Sequence, residues 1–163
     1  MKRLHVHLKV ADLDQSAAFY TALFGREPDR RESDYAKWML DDPAANVSIS
    51  ARGGVSGVDH VGVQFEDDDE LAAFAGRLES AGAEIVKQAD AACCYARSNK
   101  YWARSPEGAN WELFHTVGDS ATFGDDAPDA ASKAACCAPD PAGNAAACGP
   151  DPQTKAACCA PAA

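Results

Sequence analysis

Apolar and polar positions alternate along residues 5–10, His-Val-His-Leu-Lys-Val, and again along residues 60–65, His-Val-Gly-Val-Gln-Phe. A period of two predicts a strand with one face packed and the other available for chemistry. Each run leads into acidic residues and then into an apolar pattern of helical spacing, clearest at Leu71, Phe74 and Leu78. Asp12 and Asp67 stand at the helix starts, where a carboxylate accepts hydrogen bonds from free N–H groups; Gly25 and Gly82 supply the stops. Strand-like text then returns. In the first half it covers residues 35–40 and 46–50, with a turn at Asp41-Asp42-Pro43. In the second it covers residues 83–87, 99–103 and 110–114, with a turn at Ser105-Pro106-Glu107-Gly108.

The two halves align without a gap at an offset of 55 residues, from His5 to His60. Asp12 then falls on Asp67, Asp14 on Asp69, Phe19 on Phe74 and Leu23 on Leu78. Each half reads β-α-β-β-β, which predicts an α+β fold of two βαβββ modules, about 1–52 and 56–117. One module alone buries its sheet and helix poorly; two side by side share a core.

All 3 Trp and all 4 Tyr precede residue 117. The expected domain is therefore 1–117, and residues 118–163 read as a disordered Cys-, Ala- and Pro-rich tail without the large apolar groups that offset chain entropy. Its repeating text around Cys137, Cys148 and Cys159 suggests an arm able to capture soft ions. A net charge of −10 argues against nucleic acid, which needs a basic footprint. No apolar run approaches the roughly 20 residues that span a bilayer. A cytoplasmic protein, monomer or homodimer, is expected.

Four histidines are present: His5, His7, His60 and His115. His5 and His7 share a strand face, so periodicity does not choose between them. The repeat does, because His5 falls on His60 while His7 falls on Gly62. Glu112 sits between large apolar residues in Trp-Glu-Leu-Phe, and a buried carboxylate is costly unless paired or bound to metal. Two His and one carboxylate with open positions make the facial arrangement of non-haem iron(II) oxygenases. Ser48, a poor ligand, aligns with Glu112. The competing structural reading has His60 packed in the core and Glu112 paired with a lysine.

Six of the 7 Cys form adjacent pairs, among them Cys93-Cys94. In a reducing compartment such pairs bind or react more often than they cross-link, and two thiols suit a soft centre. Consecutive strand residues point to opposite faces, so convergence of both sulfurs requires a turn. Arg97 and Lys100 are positioned to favour thiolates.

The repeat with His5, His60 and Glu112 resembles the glyoxalase, bleomycin-resistance and extradiol-dioxygenase superfamily, the vicinal-oxygen-chelate fold. Three stretches, HVHLKVADLDQSAAFYTALFGREP, DYAKWMLDDP and CCYARSNKYWARSPEGANWELFHTV, are similar to its organoarsenical C–As lyase and cadmium-induced protein branch. The vicinal Cys followed by Lys100, Trp102, Pro106, Gly108, Trp111 and Glu112 is the specific part. The resemblance implies an Fe(II) enzyme that uses dioxygen to break the carbon–arsenic bond of trivalent organoarsenicals (methylarsenite or aromatic arsenicals), releasing arsenite. It places catalysis and metal ligation on His5, His60 and Glu112 and arsenic binding on Cys93 and Cys94. Tyr95, Lys100 and Trp102 are candidate pocket residues. The alternatives are a cadmium- or arsenite-sequestering protein and a glyoxalase-type metalloenzyme.

Overall fold

A computed structural model describes residues 1–124. Its elements follow in the order β1 (Arg3–Lys9), α1 (Leu13–Phe24), β2 (Arg30–Arg31), β3 (Tyr35–Asp41), β4 (Ala44–Ser50), β5 (Gly57–Phe65), α2 (Asp68–Ser80), β6 (Ile85–Cys93), β7 (Ala96–Arg104) and β8 (Asn110–Asp119). The expected βαβββ module thus occurs twice. The second strand of the first module is only Arg30–Arg31, too short to leave a periodic signature. The helix caps form as the sequence predicts: Asp12 accepts from Gln15 N and Asp67 from Glu70 N, each contributing about 1 kcal/mol. Gly25 and Gly82 follow the helices with φ of 68° and 84°.

All eight strands join one sheet in the order β2-β3-β4-β1-β5-β8-β7-β6. The modules meet where β1 pairs antiparallel with β5, at Val6↔Val61, His5↔Gly62 and His7↔His60. Val61 is the repeat partner of Val6, so a pseudo-twofold axis passes between them. Parallel pairing extends the symmetry outward, with His7↔Ser48 on one side and Gly62↔Glu112 on the other. Ser48 and Glu112 are therefore equivalent positions in space as well as in sequence. A flat sheet would hold its edges roughly 30 Å apart. Instead Arg30 Nη1 on β2 donates to Tyr95 O beside β6 at 2.9 Å. The sheet must curl, and a cleft forms inside the curl.

The helices cover the outer face. Leu13 and Ala17 of α1 pack with Ala36, Trp38 and Ile49, while Leu71 of α2 packs with Phe65 and Leu113. The repeat equates Phe19 and Leu23 with Phe74 and Leu78, but only the second pair packs on the core; Phe19 and Leu23 are each 61% exposed. Trp38, fully buried, draws Tyr20 and Phe24 onto its ring at 5.9 and 5.8 Å and so sets the rotation of α1.

The folded chain also runs past the boundary expected at residue 117. Strand β8 continues to Asp119, Ser120 N donates to Tyr95 O at 3.0 Å, and the Phe123 ring lies 5.8 Å from both Tyr35 and Tyr95. An aromatic side chain with two aromatic partners is what extends the packing. The rest of the expected tail, with Cys136, Cys137, Cys148, Cys158 and Cys159, lies outside the described residues. No helix among the described residues is long and apolar enough to cross a membrane.

Candidate metal centre

The inner face of the two central strands carries His5 and His7 from β1 and His60 from β5, all buried. Glu112 arrives beside them on β8, because Gly62 lets β8 approach closely: a Cβ there would collide with the Glu112 carbonyl oxygen. The same need explains why the second module has no counterpart of His7. His5 Nε2 and His60 Nε2 lie 3.2 Å apart, and Glu112 Oε2 lies 3.5 and 3.3 Å from them. Ligands held about 2.1 Å from one cation at 90–110° are about 3.0–3.4 Å apart. The three atoms therefore fit one divalent ion at adjacent coordination positions.

His5, His7 and His60 also form a cluster whose ligand atoms all lie within 4.8 Å of one another. Both His7 nitrogens are engaged as well, with Ser48 Oγ at 3.2 Å and Ser50 Oγ at 2.8 Å. The two serine hydrogen bonds of His7 favour the set containing Glu112. His7 packs behind it, and His115 bonds to Phe65 O at 3.2 Å, away from the cluster.

The remaining histidine nitrogens are held for ligation. His5 Nδ1 donates to Asn46 O at 2.9 Å and His60 Nδ1 to Asp59 Oδ2 at 2.9 Å, which turns each Nε2 toward the centre. Lys9 in turn holds Asp59 at 2.6 Å. Burial pushes His5 down to about 4 and His7 to about 3. Burial also disfavours charged His60, but hydrogen bonds to Asp59 and Glu112 outweigh it and carry His60 up to about 9. For Glu112, burial opposes ionisation, yet Lys100 and then His60 hold the carboxyl well below the usual range.

Lys100 Nζ donates to Glu112 Oε1 at 2.7 Å, so the carboxylate is paired with a lysine on one oxygen and faces the histidines with the other. The metal and lysine-pairing readings of Glu112 thus coexist. Arg97, the other cation expected to favour thiolates, is bound bidentately to Asp90 at 2.8 and 2.6 Å.

These shifts fix how the metal-free protein responds to pH. His60, with its pKa raised, contributes stability fully present below 6.5 and lost as pH rises through about 9. His5 and His7, with pKa lowered, contribute stability present above 6.5 and lost as pH falls through about 4 and 3. Urea unfolding of metal-free protein should show maximal stability near neutrality, falling on both sides. A monotonic rise to pH 10 would mean that His60 is not charged by its carboxylates. Asp59→Asn should weaken metal binding about 10- to 100-fold by equilibrium dialysis, because the second carboxylate orients His60.

Cys93 ends β6 and Cys94 begins a two-residue turn into β7, with Cys93↔Ala96 as the last pair. Cys94 and Tyr95 have φ of 56° and 61°, the left-handed conformation that a tight hairpin requires of its central residues. Non-glycine residues there cost on the order of 1–2 kcal/mol each. The turn places Sγ of Cys93 and Cys94 2.8 Å apart, so the two sulfurs converge. Tyr95 anchors the turn: its hydroxyl donates to Asp34 at 2.7 Å and its carbonyl accepts from Arg30 and Ser120.

A cleft is lined by Cys93, Cys94, His5 and Glu112 together. Lys100 lines it too, while Trp102 stands with its ring 5.2 Å from that of His60 and its indole N–H on Gln88. Tyr95, expected in the pocket, is turned instead toward Asp34, Tyr35 and Phe123. Tyr35, Lys37 and Asn46 of the first module form the facing wall, and sequence reading missed them. The inward parity of residues 35, 37 and 46 was the available signal, but it identifies a face and not a cleft.

Residues 2–113 match the model of the Glyoxalase/Bleomycin resistance protein/Dioxygenase superfamily. A relative from Bacillus sp. (strain MD1), named Trivalent organoarsenical cleaving enzyme, is 41% identical over 121 residues, 71% of this chain and 74% of its own. The Cadmium-induced protein CadI of Mycobacterium bovis is 32% identical over 142 residues, 83% of this chain and 93% of its own. Among solved structures, an E323L mutant of homoprotocatechuate 2,3-dioxygenase from Brevibacterium fuscum aligns with a TM-score of 0.57 at 14% identity, covering 76% of this chain and 34% of that one.

Proposed function

The chain belongs to the Glyoxalase/Bleomycin resistance protein/Dioxygenase superfamily, and from that premise we propose that it cleaves the carbon–arsenic bond of trivalent organoarsenicals in an Fe(II)- and dioxygen-dependent reaction, releasing arsenite in arsenic detoxification. The observation that carries this reading is the shared cleft, in which two convergent thiols line one space with His5 and Glu112 of the facial His-His-Glu set. The relatives named organoarsenical cleaving enzymes support the substrate class.

Cys93 and Cys94 bind the arsenic: two S–H groups and two As–OH groups become two As–S bonds and two waters. His5, His60 and Glu112 hold the cation. An iron(II) ion bound there supplies the activation of dioxygen for oxidative cleavage. Holding arsenic by two bonds fixes the position of its carbon substituent beside the centre, which supplies proximity without further binding contacts. Lys100 keeps Glu112 ionised and limits it to one ligating oxygen, and the Trp102 ring backs His60.

The glyoxalase-type alternative needs a Lewis acid and no dioxygen, and it gives the paired thiols no task. Protein reconstituted with nickel(II) or manganese(II) under argon should leave methylarsenite intact. Consumption at the rate found with iron in air would support the alternative.

A further inference from the structure

The wall facing the thiols holds two polar groups that the proposed chemistry does not use. Asn46 is buried, its Nδ2 donates to Gln64 Oε1 at 3.0 Å, and its Oδ1 has no hydrogen-bond partner among the described residues. A buried acceptor without a donor is costly, so it ordinarily receives one from a molecule that enters. Lys37 lines the same cleft from β3 and makes no hydrogen bond or ion pair with a described residue. Lys37 pairs with Ser48 and Asn46 with Met39 across β3 and β4, which makes Lys37 and Asn46 diagonal neighbours roughly 7–8 Å apart. Both lie opposite the dithiol turn.

We propose that Lys37 and Asn46 form a polar subsite that reads the organic group on arsenic, selecting an aromatic substituent that carries a hydroxyl. The ammonium of Lys37 donates to the hydroxyl oxygen, and the hydroxyl proton is donated to Asn46 Oδ1. One hydroxyl satisfies both groups, whereas a methyl or bare phenyl group satisfies neither. Burial, and after it the neighbouring Arg30, holds the Lys37 ammonium below the usual lysine range, as expected of a cation awaiting a partner. Sites that must hydrogen-bond a hydroxyl reject analogues lacking it more strongly than apolar pockets reject a change of size. This inference rests on the arsenical reading of the thiols.

The test compares binding of phenylarsenite and 4-hydroxyphenylarsenite to the full-length protein, followed by tryptophan fluorescence. It measures binding rather than turnover, so it does not depend on cleavage. The hydroxylated compound should bind at least tenfold more tightly. In Lys37→Met and in Asn46→Leu that preference should fall to near one. Circular dichroism identifies an Asn46→Leu protein that fails to fold, and Lys37→Met, at a partly buried position, then decides alone. Equal affinities in the unmodified protein, or a preference that survives Lys37→Met, overturn the subsite while leaving the thiol reading in place. Failure of both compounds to bind overturns the thiol reading and the subsite with it.

Discussion

Cys93→Ala is expected to lower turnover of methylarsenite by more than a hundredfold while leaving iron(II) affinity within about twofold. The sulfur lies in the cleft but outside the set of atoms spaced to hold a cation, so its loss removes substrate and not metal. A single remaining thiol leaves arsenic free to rotate about one bond, and the positioning of its carbon is lost; effects of that kind reach several orders of magnitude. Iron binding followed by dialysis and turnover followed by arsenite release separate the two quantities. A parallel loss of iron would make Cys93 a metal ligand and would require a different centre.

Glu112→Gln has the other large expected effect, and it reaches both function and folding. The substitution removes the anionic ligand and should weaken iron(II) binding by at least a hundredfold, abolishing turnover. It also leaves the Lys100 ammonium, 2% exposed, without its carboxylate. Breaking a buried pair on one side costs about 3–5 kcal/mol. Urea midpoints of metal-free protein give that cost directly. Replacing both partners, as Lys100→Met with Glu112→Leu, should recover much of the stability and none of the metal binding. A Glu112→Gln protein that keeps full stability would mean that Lys100 relocates its charge to another partner.

Much of the fold was legible because two copies of one module repeat the same local signals. The caps at Asp12 and Asp67, the stops at Gly25 and Gly82, and the strands around His5, His60 and Glu112 are local features, and each formed where expected. The register that makes Ser48 the spatial counterpart of Glu112 follows the same two-module symmetry, with the offset grown beyond the 55 residues that separate His5 from His60. What the repeat did not carry is the rotation of α1, which Trp38 decides through long-range packing.

The candidate site divides in the same way. The choice of His5 over His7 follows from a repeat, whereas in space both rings lie in one cluster with His60. The hairpin that converges Cys93 and Cys94 has no sequence mark, since Cys-Tyr lacks the Asn-Gly or Asp-Gly preference of such turns. Its conformation is imposed from outside by Arg30, Asp34 and Ser120, contacts that cross the whole sheet. Lys37 and Asn46 were invisible for a related reason: what singles them out is the Lys37 ammonium and the Asn46 Oδ1 having no partner among the described residues, and that can be known only once every neighbour is placed.

The central claim is that the thiols and the His-His-Glu set act on one molecule. The most direct measurement loads the protein with iron(II) and one equivalent of methylarsenite under argon, admits dioxygen, and quantifies inorganic arsenite over time. Arsenite should appear only after dioxygen is admitted, and in proportion to the iron bound. Methylarsenite that stays intact on the protein in air would contradict it and would leave a binding protein in its place.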